Sequence, residues 1–120
     1  MTARAGGERV NVQTRKVGSS LVVRLSGELD LHTAEPFRRA VDNELAKSEL
    51  KNLVLVLKNV TFIDSSGIGA ILGRYRLINE RRGRVVAAAA RPAVKRLLEM
   101  SGVLSVVETA ETEQIALSRL

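Results

Sequence analysis

The stretch that decides the fold spans residues 53–78 and reads LVLVLKNVTFIDSSGIGAILGRYRLI. Its first five residues are an unbroken apolar run, which is typical of a strand buried on both faces. Its second half, from about residue 66 to 79, carries Ile68, Ile71 and Ile78 on one stripe, as an amphipathic helix does. A strand followed directly by such a helix indicates the building unit of an α/β domain.

The flanking sequence extends this pattern in both directions. Upstream, Val10–Val17 and Leu21–Leu25 are separated by Gly-Ser-Ser and predict a hairpin, and a helix is expected over about 34–47 with Thr33 as its N-cap. Downstream we expect a strand at Arg84–Ala90, a helix from Pro92 to Gly102, a short strand at Leu104–Val107 and a last helix at 111–118. Residues 1–9 are predicted to be a flexible tail, and residues 10–120 to be one domain.

Alternating strands and helices predict an α/β fold whose sheet is largely parallel after the opening hairpin. Right-handed crossovers bring the carboxyl ends of parallel strands to one rim, where function usually gathers. Asp30 follows the second strand of the hairpin, and Ser65 follows the central apolar strand. Both are therefore expected on the same rim.

Composition narrows the possible functions. The 120 residues include no cysteine and a single histidine, His32, so neither a thiolate nor a histidine-rich metal site is expected, and no cofactor is predicted. No apolar run approaches the roughly 18 residues that span a bilayer. The first nine residues lack the apolar middle of a signal peptide, so a cytoplasmic location is predicted.

The net charge of +6 raises the question of nucleic-acid binding. The one dense basic stretch contains five arginines between Arg74 and Arg84, but the chain has only three aromatic residues on which bases could stack. A solvated basic face is the more common meaning of such a stretch. Direct nucleic-acid binding is therefore not predicted.

The segment Asp64-Ser65-Ser66-Gly67 lies just before the amphipathic helix and has two interpretations. Its polar side chains can cap the helix, or a serine can face solvent as a site of modification, and both hold if one residue caps while another is exposed. Catalysis is disfavoured, because a nucleophilic serine needs a base and the only histidine is His32. The segment is neither a G-x-S-x-G elbow nor a phosphate-binding loop, so the chain is not predicted to be an enzyme.

One side of this helix is nearly bare of side chains, since Ser66, Gly69, Ala70 and Gly73 recur at helical spacing. Glycine weakens a helix interior by about 1 kcal/mol relative to alanine, which suggests that another backbone comes close. That backbone could belong to the same domain, packed tightly, or to a partner docked beside Ser65. The sequence leaves these two explanations even.

Three separated motifs together resemble the anti-sigma factor antagonists of the STAS family. They are GELDLHTA at 27–34, FIDSSGIGAILGRY at 62–75 and PAVKRLLEMSG at 92–102, and the resemblance extends from about Val10 to Leu117. It is closest to the sporulation sigma-F branch. One departure is Leu31, which stands where close sporulation relatives carry a histidine.

The resemblance implies a single mixed β-sheet of about five strands with helices packed to one side. It also implies that the unphosphorylated chain binds an anti-sigma factor that is also a serine kinase and so frees the sigma factor. The kinase would use ATP to phosphorylate Ser65, and a metal-dependent serine phosphatase would reverse this. Together with the docking interpretation of the helix face, it implies partner contacts at Asp30, Asp64, Ser66, Gly67, Ile68 and Gly69.

Two apolar residues are also candidates for partner contact. Leu97 is assigned to the core, whereas Ile68 stays open between core and contact. Alternative functions are a STAS module of a general stress-response pathway, a signalling scaffold, or, in another class, a nucleotide-binding or nucleotide-hydrolysing protein.

Overall fold

The strands of the sheet follow one another in chain order. The computed structural model describes residues 10–120 and, before them, the backbone of Thr2–Ala5. Its elements are β1 (Thr2–Ala5), β2 (Val10–Val17), β3 (Ser20–Leu29), α1 (Ala34–Lys47), β4 (Asn52–Ile63), α2 (Ser65–Glu80), β5 (Val85–Ala88), α3 (Pro92–Ser101), a 3₁₀ turn (Val103–Ser105), β6 (Glu108–Ala110) and α4 (Glu113–Ser118). β1, β2 and β3 pair antiparallel, and β3 to β6 pair parallel, which confirms the mixed α/β sheet.

The amino-terminal segment differs from its prediction as a flexible tail. Thr2–Ala5 form β1, which pairs with Val10–Gln13 of β2 and makes the described sheet six-stranded instead of about five-stranded. Residue 1 and residues 6–9 lie outside the described residues, so flexibility there stays a prediction.

The central strand β4 divides the apolar core between the two faces of the sheet. Leu53, Leu55 and Leu57 join the larger cluster, which is covered by α1, α2 and α3. Val54 and Val56 point the other way, into a smaller cluster completed by residues of α4. Alternation along a strand explains this division, because successive side chains point to opposite faces.

The fourth helix corrects the expectation that all helices pack to one side. Ala116 is fully buried against the second face of the sheet, and Leu117 packs beside it. Glu113 fastens the start of α4, since its carboxylate accepts hydrogen bonds from Arg24 at 2.9 and 3.0 Å and from Arg15 at 2.8 Å. The hydrogen bond from Arg24 holds the pKa of Glu113 below its ordinary value.

The prediction of a strand at Leu104–Val107 is wrong. Gly102 ends α3 in the left-handed region at φ +82°, and the chain then makes a 3₁₀ turn over Val103–Ser105. Val103 and Val107 both enter the larger core, and the Val107 N–H donates to the Val103 carbonyl at 3.0 Å. Their spacing is that of a helical turn, so the apolar run marks this turn, and the strand begins only at Glu108.

Candidate functional site

The site forms where β3 and β4 end side by side. Leu29 and Ile63 are register partners in the parallel pair. The Asp64 N–H donates to the Leu29 carbonyl at 3.1 Å, and the Asp64 carboxylate accepts from the Leu31 N–H at 3.2 Å. The loops after the two strands are therefore tied together, which confirms that the residues around Asp30 and Ser65 share one rim.

Asp64 is the N-cap of α2. Its Oδ1 accepts hydrogen bonds from the backbone N–H groups of Ser66 at 2.8 Å and Gly67 at 3.0 Å, while its Oδ2 accepts one from the backbone N–H of Leu31. One half-buried carboxylate thus satisfies the start of the helix and the neighbouring loop. Of the polar residues in this segment, Asp64 does the capping.

Ser65 is left exposed by this arrangement. It is the first residue of α2, and its hydroxyl makes no hydrogen bond with the described residues. The macrodipole of a helix amino terminus favours negative charge there, although the N–H groups of Ser66 and Gly67 already donate to Asp64. A phosphate on Ser65 would be accessible to another protein and partly stabilised by the helix.

Asp30 has a different role, because it is only 8% exposed. Its Oδ1 accepts from the His32 N–H at 2.9 Å and from the Thr33 N–H at 3.1 Å. The Thr33 hydroxyl donates to the Glu28 carbonyl at 2.8 Å and accepts from the Asp30 N–H, also at 2.8 Å. Asp30 therefore shapes the loop that leads into α1.

The same loop corrects the expected cap of α1. Thr33 occupies the N-cap position, but its side chain makes no capping hydrogen bond to the helix. Its hydroxyl is fully engaged by the backbone of the preceding loop, with Glu28 and Asp30 as partners. A buried threonine that binds its own loop is not available to the first turn of the helix.

The glycines at the start of α2 lie in opposite environments. A Cβ added to Gly67 would clash with the Leu29 carbonyl oxygen and would lie 2.9 Å from Ile63 Cγ2. Gly69 and Gly73 have nothing within 4 Å of the equivalent position. Close packing inside the domain therefore explains Gly67 alone, and the other two glycines border open space.

The remaining predicted contact residues are divided by burial. Ser66 is half-buried, and Ile68 is half-buried with its side chain packed against the larger core. Ala70 is buried, so the bare stripe expected along the helix does not face solvent as a whole. Leu97, which was assigned to the core, is only half-buried and lies in neither core cluster.

Two exposed apolar side chains beside the site were not predicted as contacts. Leu31 is 70% exposed in the loop after β3, and Phe62 is 44% exposed near the end of β4. Alternation offered a signal for Phe62, because the preceding residue of a strand points away from buried Ile63. Leu31 stood out only as a departure from the histidine of the family pattern.

The arginines of the dense basic stretch do not share one structural role. Arg74 is buried against Asp42. Arg81 donates to one carbonyl group in the last turn of α1 and to another just after the helix, and Arg84 forms a two-pronged pair with Glu108. These three arginines each contact a different part of the fold, and the other two, Arg76 and Arg82, are exposed. The stretch therefore does not form one basic face.

Two further features of the described chain bear on function. No helix among the described residues has both the length and the apolar character needed to cross a bilayer. Within the same residues, no group of three or more histidine, aspartate or glutamate side chains is placed to hold a metal ion.

Comparison with protein families identifies the fold. The STAS domain model matches residues 11–116, which is most of the chain. The chain belongs to the STAS family.

Two relatives place this STAS domain more closely within the family. The chain is 45% identical over 100 residues to an anti-sigma F factor antagonist of Paenibacillus polymyxa, covering 83% of this chain and 86% of the relative.

It is also 31% identical over 95 residues to an anti-sigma F factor antagonist of Lysinibacillus sphaericus, covering 79% of this chain and 81% of the relative. The resemblance inferred from three motifs is thereby confirmed, and this STAS domain belongs among the anti-sigma factor antagonists, a regulatory class of proteins.

Solved structures agree with this assignment. The anti-sigma factor antagonist SpoIIAA in its unphosphorylated form matches with a TM-score of 0.78 at 30% identity, over 90% of this chain and 94% of that one. The phosphorylated form of Bacillus SpoIIAA matches with a TM-score of 0.70 at 29% identity, over 90% and 97% of the two chains.

Proposed function

We propose that this STAS domain is a partner switch controlled at Ser65. Unmodified, it binds an anti-sigma factor that is also a serine kinase, and the sigma factor is released. The kinase transfers the γ-phosphoryl group of ATP to the Ser65 oxygen, the hydroxyl proton and ADP are released, and the modified domain no longer binds. A metal-dependent serine phosphatase restores the hydroxyl by hydrolysis with water, which releases inorganic phosphate. The domain works in the cytoplasm without catalysis of its own.

The observation that carries the proposal is the free, exposed hydroxyl of Ser65 beside a carboxylate that does the capping. A serine needed as the cap would have its oxygen engaged by backbone N–H groups. Here Asp64 takes that role, so modification of Ser65 removes no hydrogen bond of the fold. The similarity to a relative whose structure is known in a phosphorylated form also supports the proposal.

The proposed contact surface is centred on the exposed start of α2. Ser66, Ile68 and Gly69 supply its accessible part together with the half-buried Asp64. Open space beside Gly69 and Gly73 allows a partner backbone to approach the helix closely. We expect Asp30 and Gly67 to contribute indirectly, because the first holds the adjoining loop and the second seats α2 on β3.

Electrostatics and desolvation explain how one phosphate would act as a switch. The modification adds about −1.5 to −2 charge directly beside Asp64. The helix terminus stabilises that charge in the free domain, so the fold is retained. If the partner surface has no matching cation, the complex would lose about 2–5 kcal/mol of binding free energy, which weakens binding roughly 30- to 4,000-fold.

The test is intact-mass spectrometry with fragment mapping after incubation with ATP and an anti-sigma factor of the serine-kinase type. We expect one phosphate on Ser65 of the wild-type chain, none on Ser65→Ala, and normal transfer to the matched control Ser19→Ala, which removes an exposed serine from the turn between β2 and β3. The Ser65→Ala variant should still bind the anti-sigma factor, because it cannot be phosphorylated. Absence of transfer from a kinase active on another antagonist would reject the phosphorylation switch, and loss of α-helical far-UV signal on phosphorylation would reject the surface mechanism.

The pathway is a separate question with two candidates. The 45% and 31% identical relatives are anti-sigma F factor antagonists, whereas a Staphylococcus aureus anti-sigma-B factor antagonist is 23% identical over 106 residues. This difference favours the sporulation branch over the general stress response. Parallel binding measurements with an anti-sigma F and an anti-sigma-B factor should give the tighter complex with the former, and the reverse order would reassign the domain.

A further inference from the structure

Arg74 is a charged side chain buried between the two helices that start at the site. It lies on the inner side of α2 and is only 7% exposed. Its Nε is 3.0 Å from Oδ1 of Asp42 on α1. Arg74 Nε, Arg74 Nη1 and Asp42 Oδ1 are all buried and make no well-oriented hydrogen bond with the described residues. The Asp42 side chain as a whole is 43% exposed, so the two helices are joined here by an ion pair that is buried on the arginine's side only.

Little net stability is expected from such a contact. Burial lowers the pKa of the Arg74 guanidinium, Asp42 opposes that effect, and the nearby Arg38 adds to it. An arginine nonetheless keeps its charge, so the fold carries the cost of desolvating it. Apolar residues of similar volume are often as stabilising as an ion pair with one desolvated member, or more so.

The side chains that pack α2 onto the core are mostly apolar. The buried residues of the helix are Gly67, Ala70, Ile71, Arg74 and Ile78. The half-buried side chains of α2 that pack against the same core are Ile68, Leu72, Tyr75 and Leu77. These contacts and those of the two isoleucines are apolar, and apolar contact is non-directional. A charge pair between defined atoms of α1 and α2 restricts sliding and rotation in a way that a smooth apolar surface does not.

We propose that Arg74 is a positioning residue, and that its pair with Asp42 holds α2 in one placement against α1. α1 follows the loop shaped by Asp30, and α2 begins at Ser65, so the pair sets how the two halves of the site stand relative to each other. The effect of the Arg74–Asp42 pair on partner binding rests on the proposed function, whereas its effect on the mobility of α2 is independent of that function.

The test compares Arg74→Met with Arg39→Met, which removes an exposed arginine from α1. We expect Arg74→Met to keep or raise the denaturant midpoint, while amide hydrogen exchange in the first turn of α2 rises about tenfold and affinity for an anti-sigma kinase falls by a similar factor. Arg39→Met should change none of these quantities. Asp42→Asn should lower the midpoint, because it leaves a buried cation without its partner, and adding Arg74→Met should remove that loss.

Unchanged exchange in α2 of a stably folded Arg74→Met variant would overturn the proposal. Exchange raised evenly across all elements, together with a lower midpoint, would also overturn it, because it would show an ordinary loss of global stability. Raised exchange confined to α2 with full partner affinity would refute the claim that the pair serves the site. If the wild-type chain bound no anti-sigma kinase, the proposed function would fail while the exchange comparison would still test the positioning role.

Discussion

The inner and outer sides of α2 use the same residue type for opposite reasons. On the inner side, Gly67 lets the helix approach the end of β3 so closely that even a methyl group would clash with Leu29. On the outer side, Gly69 and Gly73 meet no neighbour, and their cost to the helix brings no packing inside the domain. The first glycine is explained by the fold, and the other two require an explanation outside it.

The largest expected effect of a substitution lies on the inner side. Ile71 is 2% exposed in the larger core. Ile71→Ala should lower the free energy of unfolding by about 2–5 kcal/mol, because it removes buried apolar volume and leaves a cavity. Denaturant unfolding measures this loss. A change below about 1 kcal/mol would mean that α2 is not anchored by this contact.

Gly67→Ala tests the close approach to β3 and should have the next largest effect. The added methyl group cannot be accommodated against the Leu29 carbonyl without displacing the helix. We expect a loss of about 1–3 kcal/mol, as for other overpacked sites. Urea unfolding gives the loss, and chemical shifts of Asp64 and Ser66 report the movement. A neutral result would contradict the inner-side explanation of this glycine.

Gly69→Ala should have the smallest effect on stability, with the opposite sign. The methyl group meets no neighbour, so the helix should gain up to about 1 kcal/mol. Affinity for an anti-sigma factor should nevertheless fall, because the methyl group occupies space proposed for the partner. Asn79→Ala, at an exposed position near the end of α2, is the matched control and should alter stability without altering affinity.

A Gly69→Ala variant with higher stability and unchanged affinity would break the distinction between the two sides. Both outer glycines would then be without an explanation in either the fold or partner binding. The comparison thus depends on measuring stability and affinity on the same variants.

Local rules predicted much of the fold correctly. The helix expected over about 34–47 is observed as Ala34–Lys47, and the helix expected over about 66–79 is observed as Ser65–Glu80. The hairpin also forms, with Gly18 in its turn at φ +58°. Apolar spacing and turn residues are properties of neighbouring residues, so the sequence alone carries them.

The errors arose where two remote segments decide the outcome. A short apolar run such as Leu104–Val107 fits a strand or a helical turn, and its packing beneath α3 selected the turn. Thr33 has the chemistry of a cap, but the folded loop engaged its hydroxyl first. α4 has too few residues to reveal from its pattern which face of the sheet it covers.

The sequence by itself determined the family, the mixed α/β class and the position of Ser65 at a strand-to-helix junction, because each depends on ordered local motifs. Only the tertiary structure decided which residue caps α2, which glycines face open space and which carboxylate pairs with Arg74. Those outcomes depend on atoms brought together from distant parts of the chain. Burial and contact are properties of the assembled fold, and a pattern along one helix cannot specify what lies across from it.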